Sequence, residues 1–572
     1  MPLAFIHLSV VSMTVPSVLP AASPIPLRSF GDGFSWKHNW YPMAFAEVTD
    51  KSVPHRLELF GEPLVLWWDT SADAWATMSD TCPHRLAPLS EGRVDEYGRI
   101  ECPYHGWAFT PQGACTKIPQ ADHGDDERAA GRMLSRCHGT AYATVEKQGL
   151  IWVYGDALDF GLSEASASLP DESRIPTCEA MEDPRFVWVD VSRDMPYSAD
   201  MLLENVLDSS HVPFTHHQTI SRRENAVPLA LRLTEKVTSA GFCGEQAVPP
   251  PLPSAGVSSR APRGSGAKTE RTTVFCAPTY MHHKIRTSPS ADSDDFDAGF
   301  ETWTVAYATP TGPGRCRLFA RFPFRFPPPK PSTGLLGRLL PSVNVPRLLF
   351  ARVPDWMQHM GQLKVLDDDN IFLPLQERRV GALGGWRANY VMPTPADTYV
   401  SAYRRWFDAA GPPPHAAHAR DFFASAPLSK ADLLDRYAQH TAHCTSCAGA
   451  LRNAKKASVA ARSVLLAIAT TLPWMVASRA QAVAAAAATL STSIVARHTT
   501  IASAALALLA SLRPFLGVVL LAGSAAAVSH VATLIESRLT SGLGEYPPPR
   551  NKPDGARGSA RELRTVEEGR RS

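Results

Sequence analysis

Two cysteine–histidine pairs constrain the fold of this chain more than any other feature of its sequence. Cys82-x-His84 is followed, after seventeen residues, by Cys102-x-x-His105. Two thiolates and two imidazoles are the ligand set of a structural zinc site or of an iron–sulfur centre. The pattern therefore predicts that this region folds around a metal, with one pair of ligands on each of two loops.

Three features favour an iron–sulfur centre over zinc, which stays the alternative at this point. Each cysteine is paired with a histidine, so one iron can take both thiolates and the other both imidazoles. The flanking residues 34–159 are short alternating apolar runs broken by turn residues, which predicts an all-β domain and not the helix of a zinc finger. Pro83 and Pro103 directly follow the cysteines and would stiffen both loops.

A second group of polar residues follows the metal-binding pairs. Asn205, Asp208 and His211 are three apart, which predicts one face of a helix. Pro213 is expected to end that helix and to turn His216 toward the same face. Two histidines and a carboxylate form the facial triad of non-haem Fe(II) oxygenases, although this spacing alone also fits two surface histidines.

Together the two motifs resemble those of the Rieske non-haem iron oxygenases, whose helix carries Asn-x-x-Asp-x-x-His-x-x-x-x-His. The chain is most similar to the chloroplast, pheophorbide a oxygenase-like subgroup of that family. The similar segments are Phe34–Pro42, Cys82–Arg93, Tyr104–Trp107, Ile118–Gln120, Arg193–Ser198 and His216–Leu229. The resemblance covers roughly residues 34–447 and implies an α+β fold. It comprises an all-β Rieske domain, a helix-grip type catalytic domain with helices on an antiparallel sheet, and C-terminal transmembrane helices.

The resemblance also implies the cofactors and their ligands. A Rieske [2Fe–2S] cluster would be held by the two cysteine–histidine pairs, and a mononuclear non-haem Fe(II) by His211, His216 and a downstream aspartate. Three consecutive candidates follow Val365, namely Asp367, Asp368 and Asp369. The family pattern, with the ligand four residues after the valine, points to Asp369. A helix N-terminal acid cluster would explain the other two.

In this family the electron crosses from one subunit to the next. By resemblance, Asp208 would hydrogen-bond a cluster histidine of the neighbouring subunit in a homotrimer, and Asn205 would lie near the iron without binding it. The expected electron donor is ferredoxin.

The expected reaction is oxygenation of a chlorin with O2, most closely the opening of the pheophorbide a macrocycle in chlorophyll breakdown. A chlorophyllide or protochlorophyllide oxygenase is one alternative. Another is a Rieske redox subunit of the chloroplast inner-envelope import machinery. Two Pro-rich insertions, 248–266 and 324–334, depart from the plant pattern and leave the substrate open, because pocket loops decide substrate choice.

Acidic residues are distributed unevenly along the 572 residues. Residues 1–31 contain no Asp or Glu, and neither do residues 436–535, although 55 acids in the whole chain would place about ten in a stretch of that length. Such a stretch is typical of a lipid environment. The best candidate span is 514–535 and the second is 463–478, with a buried hairpin of a soluble domain as the alternative.

Basic residues flank the hydrophobic region on both sides, as two spans returning to the same side would require. We expect a chloroplast membrane protein of the inner envelope or thylakoid, with its catalytic part in the stroma.

The net charge of 57 − 55 = +2 argues against a nucleic-acid partner. The expected organisation is a transit or disordered segment (1–31), a Rieske domain (34–159), a catalytic domain (160–448), a membrane anchor of about two helices (460–536) and a disordered tail (540–572).

A late cysteine pair, Cys444-x-x-Cys447, precedes the hydrophobic region. It is a candidate reversible dithiol for redox regulation, and two reduced cysteines near a membrane are the alternative.

Overall fold

The computed structural model of the chain describes residues 30–121, 137–158, 170–247, 268–290, 292–328, 344–491 and 499–551. Four predicted features therefore fall wholly or partly outside the described residues. They are the N-terminal segment up to residue 29, the insertion 248–266, residues 329–334 of the second insertion, and the tail from residue 552.

The N-terminal part of the described chain, from residue 40 to residue 157, is an all-β unit, as predicted from its alternating pattern. Its strands are β1 (Trp40–Phe45), β2 (His55–Leu59), β3 (Glu62–Asp69), β4 (Ala74–Ser79), β5 (Arg93–Val94), β6 (Ile100–Glu101), β7 (Ala108–Phe109), β8 (Cys115–Lys117), β9 (Ala141–Lys147) and β10 (Leu150–Ala157). One sheet has the order β1-β10-β9-β4-β3-β2, and a small second sheet has the order β5-β6-β7-β8. Buried Val65, Trp67 and Phe109 pack between them.

A seven-stranded antiparallel sheet follows, with the order β11-β17-β16-β15-β14-β13-β12. Its strands are β11 (Val187–Met195), β12 (Ala230–Leu233), β13 (Gly241–Ala247), β14 (Thr269–Cys276), β15 (Tyr280–Thr287), β16 (Phe300–Gly312) and β17 (Arg315–Arg325). Side chains alternate in burial along β11, so that Val189, Val191 and Met195 face the core. The second Pro-rich insertion begins later than predicted, because Phe324 still pairs with Val187 in the sheet.

Helices cover one side of this sheet and carry the candidate site. They are α1 (Ala199–Leu207), α2 (Val212–Thr215), α3 (Val345–Phe350), α4 (Asp355–Asn370), α5 (Leu373–Ala382), α6 (Thr398–Ala410), α7 (Ala419–Ala424), α8 (Lys430–Leu433), α9 (Arg436–Gln439), α10 (Thr445–Ser491) and α11 (Thr499–Thr540). Leu202 and Leu203 of α1 and Trp406 of α6 are buried in the same core as the sheet. Arg193 of β11 donates to the Leu363 carbonyl at 2.9 Å, which fixes α4 on the sheet.

The two β units of the chain are joined by direct hydrogen bonds. The Thr309 hydroxyl donates to the Pro42 carbonyl at 2.6 Å, and the Phe60 amide donates to the Pro310 carbonyl at 2.9 Å. Strand β16 therefore holds the N-terminal β unit (residues 40–157) and the seven-stranded sheet with its helices (residues 187–443, the predicted catalytic unit) in one arrangement within the chain.

The C-terminal helices α10 and α11 are long and apolar, and most of their side chains that the structure describes are exposed. The segments Thr445–Gln481 and Phe515–Thr540 are long and apolar enough to cross a membrane, and only 6% and 11% of their most apolar windows are buried. Trp474 is 74% exposed and Val519 is 65% exposed. Within the part of the chain that the structure describes, these helices therefore do not form the alternative, a hairpin buried in a soluble domain.

The residues after α11 correct one prediction. The tail was expected to be disordered from residue 540, yet residues 541–551 pack on the catalytic unit. Glu545 accepts a hydrogen bond from buried Arg436 at 2.7 Å, and the Gly542 amide donates to the Leu434 carbonyl at 2.9 Å. The physical reason is that a buried guanidinium needs carboxylate partners, and this tail supplies one of them.

Candidate metal centres

Two tight loops of the N-terminal unit present the first set of candidate ligands. The Cys82 amide donates to the Ala87 carbonyl at 2.9 Å, and the Cys102 amide donates to the Trp107 carbonyl at 2.8 Å. Gly106 has a positive φ of 72°, a conformation that glycine adopts without strain. The loops are thus folded back on themselves, with a cysteine at the base of each.

The ligand side chains separate by type. Cys82 and Cys102 are buried, whereas the half-buried imidazoles of His84 and His105 lie nearer the surface, with ring centroids 4.6 Å apart. Among the described residues, no group hydrogen-bonds to the buried Nδ1 of His84. This orphaned nitrogen fits a metal ligand, and the sulfur and nitrogen sides fit a cluster with two thiolates on one iron and two imidazoles on the other.

Burial raises the pKa of Cys82 to about 12, and the neighbouring Cys102 adds to this effect. The buried Cys82 thiol therefore loses its proton more readily when a metal supplies compensating positive charge. The chemistry of this donor set fits the cluster that the sequence predicts.

The second set of candidate ligands lies where α1 ends. The prediction of one helix through Asn205, Asp208 and His211 was wrong. Helix α1 stops at Leu207, Asp208 is extended, and His211 precedes the separate short helix α2. Pro213 stands in the first turn of α2 and therefore begins a helix instead of ending one. The reason is that proline lacks only an amide hydrogen that the first turn leaves unpaired in any case.

Three candidate ligands come together next to the break between α1 and α2. The ligand atoms of His211, His216 and Asp369 all lie within 4.8 Å of one another, and His216 Nε2 is 3.5 Å from a carboxylate oxygen of Asp369. His211 Nδ1 hydrogen-bonds the Asp208 carbonyl, and His216 Nδ1 lies 3.3 Å from the Asp368 carboxylate. Each Nδ1 is thus engaged, which leaves Nε2 for a metal.

The three consecutive aspartates face different partners. Asp367 forms ion pairs with buried Arg193 at 2.6 Å and buried Arg436 at 2.8 Å. Asp368 faces His216, and Asp369 completes the ligand group. Burial raises the pKa of Asp369, so its carboxylate too is best satisfied by a cation.

Asn205 lies beside this group, as the resemblance implied for it. Its side-chain amide donates to an Asp369 oxygen at 3.4 Å. It therefore supports the carboxylate and leaves the second oxygen available.

Sequence reasoning missed one cation beside this site. Arg550, in the tail after α11, donates to the Thr215 carbonyl at 2.8 Å, and its guanidinium lies 5.4 Å from the centre of the Phe372 ring. Its charge also acts on Asp368 and Asp369. No motif signals this residue, because it is separated from Thr215 by 335 positions.

Sequence reasoning also missed two partners of the late cysteine pair. Cys444 and Cys447 lie in a separate buried group with His359 and His440, away from the residues that the iron prediction uses. The separation in sequence again hides the contact, since His359 precedes the pair by more than eighty positions.

Comparisons with known proteins identify the families and proteins to which this chain is similar. The Rieske [2Fe-2S] domain family matches residues 39–144, and the pheophorbide a oxygenase family matches residues 275–386. Pheophorbide a oxygenase, chloroplastic, of Oryza sativa subsp. japonica is 34% identical over 446 residues, covering 75% of this chain and 76% of the rice protein. Flavonoid 8-hydroxylase 2, chloroplastic, of Ocimum basilicum is 30% identical over 504 residues, covering 83% of this chain and 86% of the basil protein. Among solved structures, dicamba monooxygenase bound to dicamba aligns with a TM-score of 0.47 at 19% identity, covering 68% of this chain and 100% of that one.

The rice relative exceeds 30% identity and is covered over three quarters of its length, and the matched segments include the cysteine–histidine loops and α4. The chain therefore belongs to the pheophorbide a oxygenase family of iron-dependent Rieske oxygenases.

Proposed function

We propose that this protein is a chloroplast monooxygenase that oxygenates a chlorin and opens the macrocycle of pheophorbide a. The observation that carries the proposal is the presence, in one chain of this family, of a cluster-ligand set and a separate two-histidine, one-carboxylate group. In such a reaction one atom of O2 enters the substrate and the other leaves as water, which consumes two electrons and two protons. Ferredoxin is the proposed donor.

The proposed cluster ligands are Cys82, His84, Cys102 and His105, and the proposed iron ligands are His211, His216 and Asp369. When bound, the cluster supplies single electrons and the iron offers coordination positions to O2. The chain contributes orientation. The Asp208 carbonyl and the Asp368 carboxylate engage the Nδ1 atoms of the two histidines, and burial of Asp369 keeps bulk water from competing for the metal.

We propose a homotrimer in which the cluster of one subunit faces Asp208 of the next. Two observations support this arrangement. The histidine edge of the cluster loops is flanked by large exposed side chains, with Leu86 73% and Tyr104 61% exposed. Asp208 is only half-buried at the end of α1, so its carboxylate is within reach of another subunit.

We propose that α10 and α11 form a hairpin that leaves the membrane on the side from which it entered. Both ends of the hairpin contact the catalytic unit, since Leu451 near its start and Leu539 at its end pack with Trp356 and Met360 of α4. This arrangement supports a catalytic part on the stromal side of an inner-envelope or thylakoid membrane. Protease added to intact chloroplasts should spare the catalytic part until the envelope membranes are permeabilised.

A labelled-oxygen assay tests the proposed reaction. The purified, iron-loaded protein is given reduced ferredoxin, ¹⁸O2 and, separately, pheophorbide a, chlorophyllide a, protochlorophyllide a and a flavone. We expect an opened product of pheophorbide a that carries one ¹⁸O atom, identified by mass. Hydroxylation of the flavone alone would instead assign the activity of the basil relative. An iron-loaded protein that incorporates oxygen into none of these compounds would contradict the proposal and favour a redox subunit.

A further inference from the structure

Four donor side chains converge in the interior at a place that the proposed oxygenase reaction does not use. His359 comes from the first half of α4, His440 follows α9, and Cys444 and Cys447 stand at the start of α10. The four are between 0% and 7% exposed. Their ligand atoms all lie within 4.8 Å of one another.

The distances within this group match a tetrahedral metal site. The Sγ atoms of Cys444 and Cys447 lie 3.5 Å and 3.4 Å from His359 Nδ1, and Cys447 Sγ lies 3.3 Å from His440 Nε2. For zinc bonds of about 2.3 Å to sulfur and about 2.0 Å to nitrogen, a tetrahedral angle places sulfur about 3.5 Å from nitrogen. The observed sulfur–nitrogen distances therefore lie close to the edges of such a tetrahedron.

Backbone groups around the four side chains orient their donor atoms, as backbone hydrogen bonds do around metal sites in proteins. His440 Nδ1 lies 2.6 Å from the Ser192 carbonyl of β11, so this nitrogen carries the proton and donates it. The lone pair of Nε2 then points at the sulfur atoms. The Cys447 amide donates to Cys444 Sγ at 3.5 Å, which holds the two sulfurs on the same side of the turn.

We propose that His359, His440, Cys444 and Cys447 bind one Zn²⁺ as a structural site. Two thiolates and two imidazoles favour zinc over a hard cation, and a closed set of four buried protein ligands leaves no position for a substrate. Binding releases two protons from the thiols and forms two zinc–sulfur and two zinc–nitrogen bonds. The resulting site has no net charge, which suits its burial.

This site would tie the start of the membrane hairpin to the helix that carries the proposed iron ligand. His359 and Asp369 stand on the same helix α4, and the cysteines begin α10. Zinc and a Cys444–Cys447 disulfide exclude each other, because both use the same sulfur atoms. The inference is independent of the substrate assigned to the oxygenase.

Metal analysis and X-ray absorption of the detergent-purified full-length protein test the site directly. With iron and zinc both supplied during expression, we expect about one zinc per chain in addition to iron. The zinc-edge spectrum should show about two sulfur and two nitrogen neighbours near 2.3 Å and 2.0 Å. A zinc content below about one tenth per chain, a shell of nitrogen and oxygen only, or a Cys444–Cys447 disulfide in the isolated protein would overturn the proposal.

Variants locate the zinc. Cys447→Ser and His359→Ala should lower zinc at least severalfold while cluster iron is retained. Cys243→Ser, a half-buried cysteine outside the group, is the matched control and should keep zinc. His211→Ala detects zinc that has entered the iron site, and it should leave the zinc signal unchanged. Should the Cys447→Ser protein fail to fold, the wild-type spectrum still decides, and zinc that persists in a folded Cys447→Ser protein would contradict the site.

Discussion

Three neighbouring aspartates show how position on a helix, and not residue type, sets a side chain's role. Successive residues of α4 are rotated by about 100°. Asp367 consequently points at Arg193 and Arg436, Asp368 at His216, and Asp369 into the histidine pair. Spacing alone could not rank these three residues, because each is an equally good oxygen ligand. The family pattern selected Asp369, which is the aspartate that the structure groups with His211 and His216.

Substitution of the three aspartates should have three different outcomes. Asp369→Ala should lose the mononuclear iron, so that iron falls from about three to about two per chain while the cluster spectrum persists. Asp368→Asn should keep iron but bind it about 10–100-fold more weakly, since it orients His216. Asp367→Asn should destabilise the fold by about 3–5 kcal/mol, because it leaves two buried arginines short of a partner. Iron analysis and thermal unfolding distinguish the outcomes, and equal iron loss in all three would contradict these roles.

Asp208 offers a test of electron transfer between subunits. Asp208→Ala keeps the backbone carbonyl that orients His211, so both metals should remain bound. Turnover should nevertheless fall severely, because the proposed bridge to the neighbouring subunit's cluster is removed. The measurement is single-turnover oxidation of the reduced cluster in the presence of substrate. Normal turnover would refute the bridging role, and Ser210→Ala is the matched control because it removes only the hydroxyl that donates to Asp208.

At the scale of elements, the sequence predicted what is local and missed what is distant. Short apolar runs bounded by turn residues predicted strands such as β3 and β10, which are buried along most of their length, because this signal lies within a single strand. The break between α1 and α2 was missed because three-residue spacing looks the same in a continuous helix and in two short ones. The group around Cys444 was missed because His359 belongs to another helix, and no local pattern reports which helices meet.

Residues 541–551, which follow α11, should contribute measurably to the free energy of unfolding. A chain that stops after Thr540 loses Glu545 as a partner of buried Arg436, and charged hydrogen bonds of this kind contribute about 1.5–3 kcal/mol. We expect a lower unfolding midpoint in detergent. A chain that stops after Asn551 is the matched control and should behave like the full-length protein. Equal midpoints for the two shortened chains would show that this contact is energetically neutral.

At the scale of the whole molecule, the uneven distribution of acids was the most informative property of the composition. It predicted the exposed apolar helices α10 and α11, although their limits differ from the predicted spans 463–478 and 514–535. Hydropathy places a span by its apolar centre. The positions of the helix ends depend instead on contacts with the catalytic unit, and a hydropathy profile carries no information about those contacts.

Stability of the whole protein should fall in mild acid. Burial lowers the pKa of His415 to about 4, an effect that Asp200 opposes and His418 assists, whereas an unfolded histidine titrates near 6.5. Between these values the unfolded chain binds a proton that the folded chain refuses, so stability is intact above about pH 6.5 and declines as pH falls toward 4. His415→Gln should flatten the pH dependence of the unfolding midpoint relative to wild type. An unchanged slope for His415→Gln would contradict this assignment.

The contact of Arg550 with the Thr215 carbonyl ties the proposed iron site to a segment that is synthesised after both C-terminal helices. The ribosome adds Arg550 335 positions after Thr215, and both C-terminal helices emerge in between. In the proposed membrane arrangement, a nascent chain can therefore fold its sheets and gather its iron ligands early. The contact between Arg550 and Thr215 forms only after the hairpin has inserted and returned. In a copy whose hairpin is misplaced, Arg550 would not reach Thr215, so the order of synthesis would couple completion of the proposed iron site to membrane insertion.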